Sequence, residues 1–503
     1  MRKRFGLVAA VAAIALLVGA PVVSTGGAST GDTKRYLVVY KGDYAVDSTY
    51  AVGGGYAVLC NYAVASGYAV GCNYAVGAGY AVAHDYAVSL VTAAGGTVAS
   101  DMLSQIGVLS VDSSNALFAQ LMSSYAVVQE VGVDYAAGRL PDGGPQQTTD
   151  PLEGQQWSME QINAPEAHGV QAGSPSVDVG ILDSGIDGNH ADFKKGLSSN
   201  VDCSRGHNSV SFMPGGPGVG SPLPCVDNQF HGTHVAGIVA ARANGIGVVG
   251  VAPNVTLVPV KVCDASGYCY ASAVVDGITY AGDEKLDVIN MSFFVDDDVF
   301  QESTELKCDS DPKQRAFKQA VERAINYARK QGVVPVAALG NSDLDLAAPP
   351  HECTVVPAES PGVIATMALG PDGGKASYSN WGNGPTDVAA PGGGDLTGVC
   401  SDTVLSTIPG TYACISGTSM ASPHTAGVVA LIVSQFGKLG SDGDVKMSPT
   451  QVESYLKDST VDIGLSGYDE CFGHGRIDAL RAVQKQTSRV YDASAPACPE
   501  YQE

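Results

Sequence analysis

The chain has 503 residues, 45% of them hydrophobic and 16% charged, with a formal net charge of −23. That apolar content supplies two or three domains with a large core and excludes a disordered polymer. So acidic a surface repels polyanions, which sets nucleic acid aside as a partner.

Residues 1–28 have the layout of an export signal. Arg2-Lys3-Arg4 is followed by an apolar run over 5–18 and small residues near Gly26-Gly27-Ala28. The competing reading is a membrane anchor, for which the run is short. No later segment is apolar enough to span, so the expectation is a secreted, extracellular monomer with no stable membrane anchor. Export turns the twelve cysteines into disulfide candidates. Connectivity is not determined by sequence. Joining neighbours in the second part of the chain pairs Cys203–Cys225, Cys263–Cys269, Cys308–Cys353, Cys400–Cys414 and Cys471–Cys498. No CxxC or HxxxH spacing supports zinc instead.

Residues 29–137 read as a small α+β domain, with strands over 35–40, 95–98, 106–111 and 127–131 and a helix over 115–122. Inside it, over 44–91, Tyr-Ala-Val recurs every six residues from Tyr44 to Tyr86. Six residues turn a helix by roughly 240°, which scatters the tyrosines, whereas an even period puts them on one side of a strand. The repeat is therefore a weakly ordered expansion, a β insert or an adhesive segment. Residues 138–154, rich in Gly, Pro, Gln and Asp, read as an exposed linker holding a processing site.

From 155 to 503 strands and helices alternate. Strands are expected over 177–182, 255–260, 288–294 and 333–338, and helices over 233–243, 272–281, 316–330 and 419–435. This predicts an α/β fold, a mostly parallel sheet flanked by helices, with functional residues at the C-terminal ends of strands.

Three segments fall at such places: Asp183-Ser-Gly-Ile-Asp187, His231-Gly-Thr-His-Val-Ala-Gly237 and Gly417-Thr-Ser-Met-Ala-Ser-Pro-His424. Singly each is commonplace, and His234 reads as a core histidine and Asp187 as a turn residue. Together they supply a carboxylate, an imidazole and a hydroxyl. A hydroxyl needs a base to become a nucleophile, and the base needs an anion to fix its tautomer. GTSMA lacks the second glycine of the GxSxG elbow.

In this order the segments resemble the subtilisin-like serine proteases, the subtilase family, over residues 150–485, with an inhibitor-type propeptide before them. The resemblance implies a subtilisin-like fold with Asp183 orienting, His231 as base and then acid, and Ser419 as nucleophile. Asn341, after Gly340 and the strand VVPVAA, would donate to the oxyanion. Protein or peptide substrates would lie between two edges, at Gly267 and Tyr268 on one side and Ser292, Phe293 and Phe294 on the other, with Gly340 near the reacting bond. The family has small glycines after the serine of the second edge. Here Phe293-Phe294-Val295 would narrow the first pocket, and Asp296-Asp297-Asp298 is either a solvated turn or a selector for basic side chains. The propeptide would act as an intramolecular inhibitor.

The resemblance also implies a structural calcium ion. Asp192 and the Asn244 side chain would hold it with the carbonyls of Arg242, Ile246 and Val248, oxygen donors that suit a hard cation. A plain glycine turn is the alternative, and Glu153 and Gln155 both remain open as a further ligand. The rival function is a non-catalytic surface or adhesion protein on a protease scaffold, with the tyrosine repeat as its working part.

Overall fold

Tyr36-Leu-Val-Val-Tyr40 is apolar on both sides, and β1 (Thr30–Tyr40), which it ends, lies in a sheet covered on both faces. The structure, a computed structural model, describes residues 30–41, 82, 84–139, 146–147, 152–210, 222–293, 312–348, 354–395, 399–440, 445–496 and 498. After β1 come α1 (His84–Ala93), β2 (Gly96–Met102), β3 (Val108–Asn115), α2 (Phe118–Ser123) and β4 (Val128–Val133). The strands form one antiparallel sheet in the order β2-β3-β1-β4. Alternation divides its faces: Tyr36, Val38 and Tyr40 pack with Phe118 and Met122, while Leu37 and Val39 join the core of the larger domain.

The last Tyr-Ala-Val unit corrects the expectation for the repeat. Tyr86 to Val88 lie in α1, which buries Ala87, Leu90 and Val91 at helical spacing. Apart from buried Val82, the earlier units, with Cys60 and Cys72, lie outside the described residues.

Next come β5 (Ala136–Arg139) and β6 (Gln146–Gln147), so the expected linker starts inside a strand. Then follow β7 (Asp178–Asp183), β8 (His207–Asn208), α3 (His231–Ala240), β9 (Thr256–Lys261), β10 (Tyr268–Tyr270), α4 (Ala271–Asp283), β11 (Val288–Met291), α5 (Pro312–Gln331), β12 (Val334–Ala338), β13 (Ile364–Leu369), β14 (Val388–Pro391), β15 (Val404–Ile408), β16 (Thr411–Ile415) and α6 (Thr418–Phe436). The main sheet is parallel throughout, in the order β8-β9-β7-β11-β12-β13-β14. Val179 and Ile181 face α3 and α6, whereas Leu182 and Met291 face α4 and α5. Both faces are thus dry, which is why the strands read as continuous apolar runs.

Helices α4 and α5 also carry the small domain. The Arg323 guanidinium donates to the carbonyls of Tyr40 (3.0 Å) and Ile106 (3.2 Å), and Arg315 pairs with Glu130 at 3.2 Å. Asp134 accepts the Ser272 N–H at 3.0 Å and so caps the start of α4. Four of the five expected disulfides are present, Cys203–Cys225, Cys263–Cys269, Cys400–Cys414 and Cys471–Cys498. Cys308 and Cys353 lie outside the described residues. Among those residues no helix is long and apolar enough to cross a membrane.

Candidate active site

Asp183 is the last residue of β7, so its carboxylate leaves the sheet at the C-terminal rim, where it is fully buried. Both its oxygens lie 3.0 Å from Nδ1 of His231, and Oδ1 also accepts the Ser184 N–H at 2.7 Å. Nδ1–H therefore points at the carboxylate, which leaves Nε2 as the basic nitrogen. That nitrogen is buried and has no partner among the described residues.

His231 opens α3, and a residue that sequence reasoning did not single out fixes that helix start. Asp227 Oδ1 accepts the N–H groups of Gln229 (3.0 Å) and Phe230 (2.9 Å) and the Ser184 hydroxyl (2.9 Å). Its Oδ2 accepts the N–H (2.9 Å) and hydroxyl (2.7 Å) of Thr233. The Ser184 oxygen in turn accepts the Gly232 N–H at 3.0 Å. One carboxylate thus ties the first turn of α3 to the residue after Asp183. The approach is so close that a Cβ on Gly232 would stand 2.1 Å from the Gly185 carbonyl oxygen. An acidic residue just before a predicted helix start was the available signal.

Ser419 lies in the first turn of α6, where backbone N–H groups lack helical partners. Its hydroxyl donates to the Ser292 carbonyl at 3.0 Å, and the Ser292 hydroxyl donates back to the Ser419 carbonyl at 2.8 Å. Asn290 supports this link, donating from Nδ2 to the Ser292 oxygen (2.8 Å) and accepting from Ser422 at Oδ1 (2.7 Å). Asn341 Oδ1 accepts the N–H and the hydroxyl of Thr418, each at 2.8 Å, while the Gly340 N–H donates to the Thr418 oxygen at 3.1 Å. With its oxygen so held, the Asn341 Nδ2 stands 3.4 Å from the point a Cβ on Gly417 would occupy.

The other named positions divide. Gly267 makes the positive-φ turn (φ 83°) into β10, and the Cys263–Cys269 bond closes that hairpin. Strand β10 is already paired. Antiparallel β5 sets Arg139 against Tyr268, Gly138 against Cys269 and Ala136 against Tyr270. Phe293 is 2% exposed with the small domain in place, and it belongs to the same buried cluster as Cys263 and Ala271. Phe294 and residues 295–298 lie outside the described residues. Beyond Ser419, β6 pairs antiparallel with β16, Gln147 against Ala413 and Gln146 against Cys414.

Residues 242–248 fold around buried Asp192, whose Oδ2 accepts the Val248 N–H at 2.9 Å and whose carbonyl accepts the Arg242 N–H at 2.7 Å. The donors here are oxygens, as a hard cation requires. Asn244 offers its nitrogen to the carbonyls of Lys194 (2.9 Å) and Ala191 (3.2 Å), while its oxygen accepts the Ile246 N–H at 3.1 Å. A cation-binding Asn244 therefore has to turn its amide. The Leu152 N–H reaches the Gly247 carbonyl at 3.3 Å, so the segment with Glu153 and Gln155 passes beside the loop.

His234 and His424 are core histidines. His234 Nε2 bonds the carbonyls of Ala413 (3.1 Å) and Val404 (3.2 Å), and burial pushes its pKa down to about 3. His424 Nδ1 donates to the Met420 carbonyl at 2.7 Å, and burial pushes it down to about 4.

A parallel sheet with a buried Asp–His pair at one strand end, and a serine at the start of the central helix, defines a serine hydrolase of the acyl-transfer type. The model of the subtilase family matches residues 174–475. Subtilisin Savinase from Lederbergia lenta is 33% identical over 329 residues, which cover 65% of this chain and 98% of that one. Subtilisin E from Bacillus subtilis is 34% identical over 329 residues, covering 65% and 71%. Among solved structures, a lanthipeptide protease matches with TM-score 0.55 and 25% identity over 69% of this chain and 100% of the other. The epidermin leader peptide processing serine protease from Staphylococcus aureus matches in fold with TM-score 0.65 and 20% identity, over 90% of this chain and 98% of that one. The chain belongs to the subtilase family and is a subtilisin-like serine protease.

Proposed function

We propose that this chain is a secreted serine endopeptidase, made as a precursor that its own N-terminal domain holds inactive. The observation that carries the reading is the buried Asp183–His231 pair at 3.0 Å, together with Ser419 in the first turn of α6 and the Asn341 oxygen held by Thr418. To react, the Ser419 hydroxyl has to leave the Ser292 carbonyl and give its proton to His231 Nε2. As Oγ attacks the substrate carbonyl, its proton passes to Nε2, and Asp183 stabilises the imidazolium. The oxyanion accepts hydrogen bonds from Asn341 Nδ2 and the N–H groups at the start of α6. Collapse expels the amine with the proton from Nε2 and leaves an acyl-enzyme on Ser419. Water then repeats the sequence and releases the acid.

Backbone pairing at β10 supports protein and peptide substrates, because it reads no side chain. The same pairing supports self-inhibition: β5 sits where the substrate backbone would run, and Asp134, Glu130 and Tyr40 anchor the domain it extends. We assign residues 1–28 to a signal, 29–137 to the inhibitory domain, 138–154 to a processed connection and 155–503 to the peptidase. Secretion rests on the basic, apolar and small-residue succession in the first of these. A calcium ion at Asp192, with Asn244 and the carbonyls of Arg242, Ile246 and Val248, would brace the loop.

Mass spectrometry of the secreted wild type beside Ser419→Ala tests this. The wild type should lose the residues before about 150, and the variant should stay joined to them. Identical processing of both would mean that another protease makes the cut. An uncut wild type that hydrolyses no peptide would end the protease assignment.

A further inference from the structure

We infer that a recess on the N-terminal rim of the main sheet binds a ligand carrying several phosphate groups. It holds about 590 Å³ and lies among the ends of α5 and α6 and three further elements, β17 (Lys438–Leu439), β18 (Val445–Lys446) and α7 (Pro449–Ser459). Asp287, in its wall, precedes β11 and accepts the N–H of Asp178, the first residue of β7, at 2.8 Å. Asp183 ends that strand, roughly 17 Å further along an extended chain. The recess therefore takes no part in peptide hydrolysis, and the inference stands apart from the protease reading.

Over the whole chain acidic residues outnumber basic ones, 51 to 28. Around this recess the balance is inverted: Lys285, Arg329, Lys330, Lys438 and Lys446 line it beside one carboxylate, Asp287. Attraction to the C-terminus of α5 accounts for Arg329 and Lys330. It does not account for the other three. Lys438 is set directly opposite Lys446 in the β17–β18 ladder, where like charges repel. Lys285, Lys330 and Lys438 are exposed, and they have no ion pair among the described residues. Phe436 and Tyr455, which also line the recess, stack with ring centres 5.5 Å apart, and the Lys485 ammonium lies 4.9 Å from the Tyr455 ring. Apolar walls beside charges of one sign focus the field into the recess. An anion bound there would relieve the repulsion.

The donor types decide between anions. A planar carboxylate is held best by a guanidinium fork, but that of Arg329 is taken by the Gly362 carbonyl and by Glu453. The remaining donors are ammonium groups, point charges that suit tetrahedral phosphate. Because they come from separate elements around one recess, they match a ligand with several phosphates better than a single one.

The test is calorimetric titration of the full chain, as Ser419→Ala, with inorganic tripolyphosphate, and with orthophosphate and citrate for comparison. Tripolyphosphate should bind saturably and at least about tenfold more tightly than either, the size of one further charge-assisted hydrogen bond. Lys330→Gln with Lys438→Gln should weaken it about 100-fold, about tenfold for each ammonium lost. Lys34→Gln with Lys195→Gln removes the same charge from exposed places elsewhere and should leave the binding unchanged. No saturable binding, or equal binding with and without Lys330 and Lys438, would overturn the inference. Citrate or orthophosphate binding as tightly as tripolyphosphate would overturn the assignment to a polyphosphorylated ligand.

Discussion

Ser419 and Ser292 are hydrogen-bonded to each other in both directions, hydroxyl to carbonyl, at 3.0 and 2.8 Å. The reason for the second bond lies four residues along α6. Pro423 sits inside that helix and has no N–H to give the Ser419 carbonyl. The Ser292 hydroxyl fills the place that a helical donor would have taken. The residue proposed as nucleophile is thereby held from the neighbouring strand end, with its own hydroxyl resting on a carbonyl until substrate arrives.

Ser292→Ala should consequently leave a buried carbonyl without its donor. The expected cost is about 1–3 kcal/mol of stability. Thermal melting of Ser419→Ala with and without Ser292→Ala measures it free of self-digestion. An unchanged melting temperature would show that the Ser419 carbonyl finds another partner.

Asn341 has its two amide atoms in two jobs, the oxygen holding Thr418 and the nitrogen facing the Gly417 turn. Asn341→Ala should lower kcat by about 10²–10³ with little change in KM, as loss of one oxyanion donor does. Thr418→Val loses the hydroxyl link but keeps the donor, and should lose far less. Equal losses would mean that Asn341 matters only as a brace.

Much of this architecture could be read in the sequence because it rests on local rules. Long apolar runs gave β7, β9, β11 and β12, and the small-residue helix starts marked α3 and α6. β13 and β14 went unread, although Ile364–Leu369 and Val388–Pro391 are as long and as buried as the strands that were read; a buried run without alternation does not by itself declare a strand. The place of Tyr86-Ala-Val88 in α1 was hidden by a repeat whose period favours a strand, until burial of Ala87, Leu90 and Val91 overrode it. Ser292 acts through Ser419 and Asp227 through Ser184, partners distant in sequence that only the folded chain brings near.

Stability should fall on acidification. His234 and His424 titrate at about 3 and about 4 when folded, owing to burial, and at about 6.5 when unfolded. Below about 6.5 the unfolded chain takes up protons that the folded chain refuses, so stability present above that pH drains away as pH falls toward the folded values. Each histidine contributes a slope of up to about 1.4 kcal/mol per pH unit. His424→Gln can still donate to Met420, and should flatten the fall in unfolding free energy between about pH 6 and 4. An unaltered slope would place the titration elsewhere.

If calcium binds at Asp192, chelator should lower the melting temperature of Ser419→Ala, and Asp192→Asn should melt low with or without chelator. The variant keeps an oxygen for the Val248 N–H, so the comparison isolates the lost charge. Calcium at 100 times its Kd would contribute about 2.7 kcal/mol. A melting temperature indifferent to chelator would leave residues 242–248 as a plain turn.

Asp227 offers the sharpest test of how the base is held. Its two oxygens gather the Ser184 hydroxyl, two N–H groups before α3 and both donors of Thr233, so no single water can replace it. It also opposes the burial that lowers the pKa of Lys261, whose ammonium donates to the Val226 carbonyl at 2.8 Å. Asp227→Ala should therefore cost at least about 1–3 kcal/mol for the orphaned donors. It should also lower kcat, because the helix that carries His231 loses its tie to Ser184, next to Asp183. Asp227→Asn keeps one acceptor oxygen and should fall between the two in both readouts. Full activity in a destabilised Asp227→Ala would show that the 3.0 Å contact between His231 and Asp183 holds the imidazole by itself.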